Sequence, residues 1–137
     1  MVYTIGEIAK RMQLPISTIR YYDKEGLFPN MQRSEGNIRL FDESSMEWIH
    51  LIDCLKKTGM SLKEIRQFAE WSLEGDATLE KRSQLFLHRK EEIERQIEEL
   101  QTMLKIIEWK CKYYEIAKEA GTVNLPRLRD KKIGDEL

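Results

Sequence analysis

The chain has 137 residues, enough for one domain or for a small domain with an extension. Its formal net charge is −1 with 34% charged residues, so bulk charge gives no signal for nucleic acid. No apolar run approaches the roughly 18 residues of a membrane span and no signal-peptide pattern opens the chain, which predicts no membrane partner. Two cysteines, Cys54 and Cys111, are too few for a disulfide framework and lack metal-site spacing, so a cytoplasmic location with reduced thiols is expected.

Charge is unevenly distributed. Up to Phe41 the bases Lys10, Arg11, Arg20, Lys24, Arg33 and Arg39 face only Glu7, Asp23, Glu25 and Glu35. From Asp42 to Ala120 acids outnumber bases. A basic front on an acidic body suits a small DNA-contacting head.

Thr4-Ile5-Gly6-Glu7 is a capping box, and Ile5, Ile8, Ala9 and Met12 fall at helical spacing behind it, predicting a helix to about Met12. Leu14-Pro15 interrupts it. Ile16, Ile19 and Asp23 to Leu27 carry a second short helix, and two short helices joined by a tight turn form a helix-turn-helix signature. Ser34-Glu35-Gly36-Asn37 is turn chemistry between segments that could pair, predicting a small β-hairpin that projects Arg33 and Arg39 as a wing. Asp42 is placed to cap a third helix with Trp48, Leu51, Ile52 and Leu55 inside, ended by Gly59. Ser61-Leu62-Lys63-Glu64 is a second capping box, opening a helix that buries Ile65, Phe68 and Ala69.

After Glu74-Gly75, Asp76 is expected to cap the longest element. Leu79, Ser83, Phe86, Lys90, Ile93, Ile97, Leu100, Leu104, Ile107, Cys111 and Tyr114 alternate steps of four and three, a heptad seam. To about Ala120 this makes a helix on the order of 65 Å long at 1.5 Å per residue. Such a rod needs a partner helix, and a second copy is the simplest. The expected fold is therefore all-α with a small β-hairpin wing: a winged helix-turn-helix head plus a long antiparallel coiled-coil dimerisation helix. The expected domains are 1–74 for DNA binding, 75–120 for the coiled coil and 121–137 as a flexible tail.

On the second helix, with Ile16 at zero, Ile16, Ile19 and Leu27 cluster within about 80° as the packing face. Ser17, Thr18 and Tyr21 point roughly the opposite way, with Arg20 and Lys24 on one flank and Tyr22 on the other. Small hydroxyls and a guanidinium can read base edges in a major groove, while flanking tyrosines and cations take phosphates. Tyr22 is then expected to brace a phosphate. A helical hairpin whose exposed tyrosine is incidental fits the spacing as well.

The motifs Thr4-Ile5-Gly6-Glu7-Ile8-Ala9, Thr18-Ile19-Arg20-Tyr21-Tyr22-Asp23, Gly26-Leu27, Arg39-Leu40-Phe41 and Gly59-Met60-Ser61-Leu62-Lys63-Glu64-Ile65 occur in order over the first half. They resemble the N-terminal winged helix-turn-helix of the MerR family of bacterial transcription regulators. The stretch from Gly75 to Leu100, with Tyr113-Tyr114-Glu115 beyond it, is similar to the dimerisation helix of that family's aldehyde- and thiol-stress-associated branch. The resemblance implies that Ser17, Thr18, Arg20, Tyr21 and Tyr22 lie on the recognition helix, that Arg33, Asn37 and Arg39 lie on the wing, and that Thr4 also contacts DNA. It implies a homodimer that distorts double-stranded promoter DNA in response to a small-molecule effector, for use by RNA polymerase. Two positions depart from the family pattern: Gln13 stands where the corner usually has glycine, and Ile38 where the wing often has tyrosine.

Metal sensing is disfavoured, because the stretches flanking the long helix, around Trp71 to Arg82 and Glu119 to Asp130, hold no cysteine or histidine. No cofactor motif is present. Cys54 has His50 four residues before it and Lys57 three after, cations that would favour a thiolate, with Glu47 opposing them; it is the candidate effector-sensing residue, for electrophiles or oxidants. The competing reading is an inert, partly buried cysteine. Cys111 sits on the seam as packing, His88 on a charged helix is expected to be exposed, and Trp71, Trp109, Tyr113 and Tyr114 read either as core or as a pocket lining. With no nucleophile elbow, phosphate loop or paired carboxylates, the chain is not expected to be an enzyme. A pure coiled-coil adaptor is the other alternative, and salt-dependent DNA binding separates the two.

Overall fold

The computed structural model describes residues 1–28 and 40–137. Among these, five α-helices follow in order: α1 Ile5–Met12, α2 Ile16–Lys24, α3 Glu43–Lys57, α4 Leu62–Glu74 and, after a 3-10 turn at Gly75–Thr78, α5 Leu79–Ala120. The chain forms two compact units, Met1–Arg89 and Lys90–Leu137.

Local chemistry starts the helices where expected. Glu7 N donates to Thr4 Oγ1 at 3.2 Å while Thr4 N donates to Glu7 Oε1 at 3.3 Å, so the capping box at α1 is made. At α3 the Asp42 carboxylate accepts from Ser45 N at 2.9 Å and Ser45 Oγ accepts from Asp42 N at 3.0 Å, a reciprocal cap that uses serine in place of glutamate. Ser61 Oγ accepts from Glu64 N at 3.2 Å to start α4. Gln13 closes α1 in the left-handed region, at φ 55° and ψ 41°, the conformation that makes the family pattern favour glycine there. A side chain in that region costs about 1 kcal/mol.

The core of the first unit lies where α1, α2, α3 and α4 meet, with Ile8, Ile19, Ile49, Ile52 and Ile65 fully buried. Ile49 replaces Trp48 and Leu51 at the centre of the α3 stripe; those two are only partly buried. Phe68 on α4 is stacked by Trp48 at 5.4 Å and met edge-on by Phe86 at 5.1 Å, which fastens the first turns of α5 to the head.

The expected β-hairpin is corrected. Among the described residues there is no β-strand, and the fold class is all-α with a long C-terminal helix. Extended pairing is limited to one antiparallel bridge, in which Tyr3 N donates to Phe41 O at 2.7 Å and Phe41 N to Tyr3 O at 3.2 Å. Phe41 is buried and paired with the start of the chain, and a single bridge is too short to count as a strand. Residues 29–39 lie outside the described residues; they hold most of the segment read as the hairpin, including its turn at Ser34 to Asn37 and the wing positions Arg33, Asn37, Ile38 and Arg39.

The entry to α5 also differs from expectation. Asp76 lies inside the 3-10 turn rather than at a helix cap. Buried Thr78 organises the corner: its hydroxyl lies 2.5 Å from the Trp71 carbonyl and 2.9 Å from the Gly75 carbonyl, and accepts from Arg82 Nε at 3.1 Å. Arg82 Nη2 donates to the Gly75 carbonyl at 2.8 Å, satisfying backbone that the turn leaves open.

Within the second unit, every residue from Glu94 to Glu108 is exposed. Leu100, Leu104 and Ile107 are 63%, 54% and 59% exposed, a continuous apolar stripe at seam positions. Gly121, at φ 76°, ends α5, and residues 121–137 continue in turns with Leu128 buried. Trp109 Nε1 donates to the Asp135 carbonyl at 2.8 Å, and Trp109 stacks on Tyr113 at 5.5 Å.

Candidate nucleic-acid interface

α2 is a nine-residue helix that starts at Pro15 without a side-chain cap. It buries Ile19 and Tyr22, whereas Ile16 is 38% exposed. The expected packing face of Ile16, Ile19 and Leu27 is therefore rotated by roughly 80° at 100° per residue. The reason is that α2 stops at Lys24, so Leu27 lies beyond the helix and its angular position does not apply. Leu27 is buried all the same, delivered by the turn at Gly26, where φ is 77°.

With the helix set this way, Ser17, Arg20, Tyr21 and Lys24 are all exposed and recur at three- and four-residue steps, one continuous outward face. Thr18 is half-buried at its edge. Tyr21 is 43% exposed, and its ring lies 6.0 Å from that of Tyr22. Thr4 is exposed at the start of α1, with its hydroxyl donating to Glu7 Oε1 at 3.0 Å. The surface combines hydroxyls, a guanidinium, an ammonium and a phenol, the groups that address base edges and phosphates.

Tyr22 is placed differently from Tyr21. It is 4% exposed, packs edge-on against Phe28 at 6.5 Å, and its hydroxyl donates to Asp53 Oδ1 on α3 at 2.9 Å. Burial, then the carboxylate acceptor, pushes the Tyr22 phenol well above its ordinary range, so it remains a proton donor. Asp53 in turn receives Lys57 Nζ at 2.8 Å. Burial works to raise the Asp53 pKa, but the hydrogen bonds from Lys57 and Tyr22 outweigh it and the net shift is downward. Two more side chains hold the C-terminal end of α2. Trp48 Nε1 donates to the Leu27 carbonyl at 2.7 Å, and Arg66 donates from Nε to the Glu25 carbonyl at 2.8 Å and from Nη2 to Glu25 Oε2 at 3.1 Å. Sequence patterns gave no hint of these three anchors, because each partner lies 21 to 41 residues from its mate.

Cys54 is exposed on α3, next to Asp53. Of the cations expected beside it, Lys57 is taken up by Asp53. Cys111 is exposed on α5. Trp71 lines an open groove of about 480 Å³ with Lys81, Leu85 and His88 on the start of α5. Among the described residues no group of three or more His, Cys, Asp or Glu side chains could hold a metal ion, and no helix is long and apolar enough to cross a membrane.

Comparison with known proteins agrees with this surface. Residues 3–70 match the family model described as MerR HTH family regulatory protein, and residues 46–109 match one described as MerR, DNA binding. An uncharacterized HTH-type transcriptional regulator of Haemophilus influenzae is 42% identical, over 93% of this chain and 97% of its own. The HTH-type transcriptional regulator AdhR of Bacillus subtilis is 32% identical over 65% of this chain and 64% of its own. The solved structure of HiNmlR, described as a MerR family regulator lacking the sensor domain, bound to promoter DNA, is similar with a TM-score of 0.84 and 42% identity, over 90% of this chain and 98% of that one. A helix-turn-helix that presents Ser17, Arg20, Tyr21 and Lys24 outward, inside a chain matched along nearly its whole length, leads to one assignment: the protein belongs to the MerR family of non-catalytic, DNA-binding transcriptional regulators.

Proposed function

We propose that the protein works as a homodimer that binds a two-fold promoter site and changes the shape of that DNA in response to an effector, for RNA polymerase in the cytoplasm. The observation that carries the reading is the outward face of α2, with Ser17, Thr18, Arg20 and Tyr21 as base and phosphate contacts; exposed Thr4, at the start of α1, is taken as a further contact. Arg33, Asn37 and Arg39 add a cation-rich segment for the phosphate backbone. Dimerisation is supported by the apolar stripe through Ile97, Leu100, Leu104 and Ile107, which a second α5 running antiparallel would cover. Bending or untwisting a site costs several kcal/mol, so a modest change in the spacing of two heads is enough to switch it.

HiNmlR, described as lacking the sensor domain, is matched over nearly its full length, and AdhR over part of the chain. Both likenesses lend support to the aldehyde- and thiol-stress-associated branch, and in this reading exposed Cys54 is the candidate electrophile sensor. Cys54→Ser should abolish electrophile-induced transcription while leaving operator affinity unchanged; an undiminished response ends the sensor role.

The decisive experiment is to select fragments of the source genome with the full chain and titrate the best one against salt. A regulator making several phosphate contacts loses affinity steeply between 50 and 200 mM salt, roughly a thousandfold for six contacts. Absence of binding at low ionic strength would favour the coiled-coil adaptor instead.

A further inference from the structure

We infer that Asp53 is a positioning residue for DNA reading: through Tyr22 it fixes how α2 presents its outward face, and so sets discrimination between operator and other DNA. The inference rests on α2 being the DNA-reading helix. Tyr22 sits behind that face, adjacent in sequence to Tyr21; its ring is buried and its hydroxyl donates to Asp53 Oδ1 at 2.9 Å. The acceptor is itself held, because Lys57 Nζ lies 2.8 Å from the other carboxylate oxygen. Lys57, Asp53 and Tyr22 thus form a chain of directional contacts from the exposed side of α3 to the inner side of α2. Apolar packing at Ile19 and Phe28 resists separation of α2 from the core but is non-directional, so it does not by itself fix the rotation of a short helix. A hydrogen bond off the helix axis does fix it, and a change of rotation moves Arg20 and Tyr21 relative to a base edge.

This arrangement gives Tyr22 a different part from that of a phosphate contact, since its hydroxyl proton is already directed at Asp53. It also separates positioning from charge. Removing the Asp53 carboxylate makes the head less acidic, and by charge alone that strengthens binding to every duplex. Positioning predicts instead that the ratio of operator to non-operator affinity falls.

The test measures that ratio, at one fixed salt concentration, for the full chain carrying Tyr22→Phe, Asp53→Ala, Asp53→Asn or the Tyr22→Phe/Asp53→Ala pair. The operator is the best genomic fragment selected by wild type, and a scrambled duplex of equal length is the competitor. Tyr22→Phe keeps the ring against Phe28, so it remains informative if Asp53→Ala is poorly folded. One lost hydrogen bond corresponds to about a three- to ten-fold drop in the ratio for each single variant. The pair should fall no further than the worse single, and Asp53→Asn, whose amide oxygen still accepts from Tyr22, should stay near wild type. An unchanged ratio in Tyr22→Phe and Asp53→Ala overturns the inference. So do losses that multiply in the pair, which would mean that the Tyr22 hydroxyl acts on DNA directly. A wild type that fails to discriminate between the duplexes refutes the DNA-reading role of α2 itself, and that outcome is visible before any variant is compared.

Discussion

Replacing Ile97 and Leu104 together by aspartate should convert the protein to a monomer. In the single chain these side chains are 49% and 54% exposed, at positions seven residues apart on the α5 stripe. Full burial of an aliphatic side chain is worth about 1.5–3 kcal/mol, so covering the exposed half of each contributes about 1 kcal/mol. A two-fold pairing covers each position twice, giving about 4 kcal/mol for the two sites in both chains. The aspartates lose that and add carboxylates that must shed water or stay apart. At about 1.4 kcal/mol per factor of ten, the dimer should weaken by at least a thousandfold. Sedimentation velocity over low micromolar concentrations reads this directly, as a shift to the single-chain mass of 16.3 kDa. Thr102→Asp, on the opposite face of the same heptad, serves as the charge control and should leave the dimer in place. A double variant that sediments as a tight dimer would show that α5 pairs through another face, or that the stripe is covered by something else.

Arg20→Ala should lower operator affinity by about 1–3 kcal/mol in a binding titration, more than Tyr22→Phe does; equal affinity to wild type removes Arg20 from the reading face. Gln13→Gly should raise the free energy of urea unfolding by about 0.5–1 kcal/mol, because Gln13 holds φ 55° and glycine relieves that strain; a loss of stability would mean that the glutamine side chain contributes more than its backbone costs. The Asp42 carboxyl is held down to about 2, first by the Ser44 hydroxyl and then by Ser45. A depressed carboxylate stabilises the fold above its unfolded pKa near 4 and loses that contribution as pH falls toward 2. The stability gap between wild type and Asp42→Ala should therefore be constant from pH 7 to about 5, shrink as pH falls through the folded value and be lost by about pH 1; a gap that stays at its neutral-pH size in acid refutes the ionised cap as the source.

What the sequence disclosed and what it withheld divide along chain distance. The caps at Thr4, Asp42 and Ser61 were legible because each is a contact over three residues, and the left-handed backbone at Gln13 was legible as a departure from glycine. The exposure of Tyr21 followed from the angle between neighbouring side chains. Ile16 was misplaced because helical periodicity was carried through Leu27, past the true end of α2 at Lys24. Asp76 was taken for a cap because its type fits, yet Gly75 and Thr78 turn the chain through a 3-10 corner that has no periodic signature. The hairpin rested on turn residues between segments that could pair and on the family resemblance, whereas Phe41 pairs with Tyr3, a contact between distant segments. For the same reason Trp48, Asp53 and Arg66 carried no mark of their attachment to α2.

Those three attachments bear on how α2 is held in place. A helix of nine residues with no side-chain cap at its start is far below the length at which an isolated helix holds together, about 12–15 residues. Gln13, in the turn that leads into it, holds a left-handed backbone conformation. The setting of α2 is therefore imposed from outside the helix, and among the described residues α3 and α4 supply directional bonds to its C-terminal end: Trp48 to the Leu27 carbonyl, the Tyr22 hydroxyl to Asp53, and Arg66 to Glu25. α1 meets α2 through apolar packing.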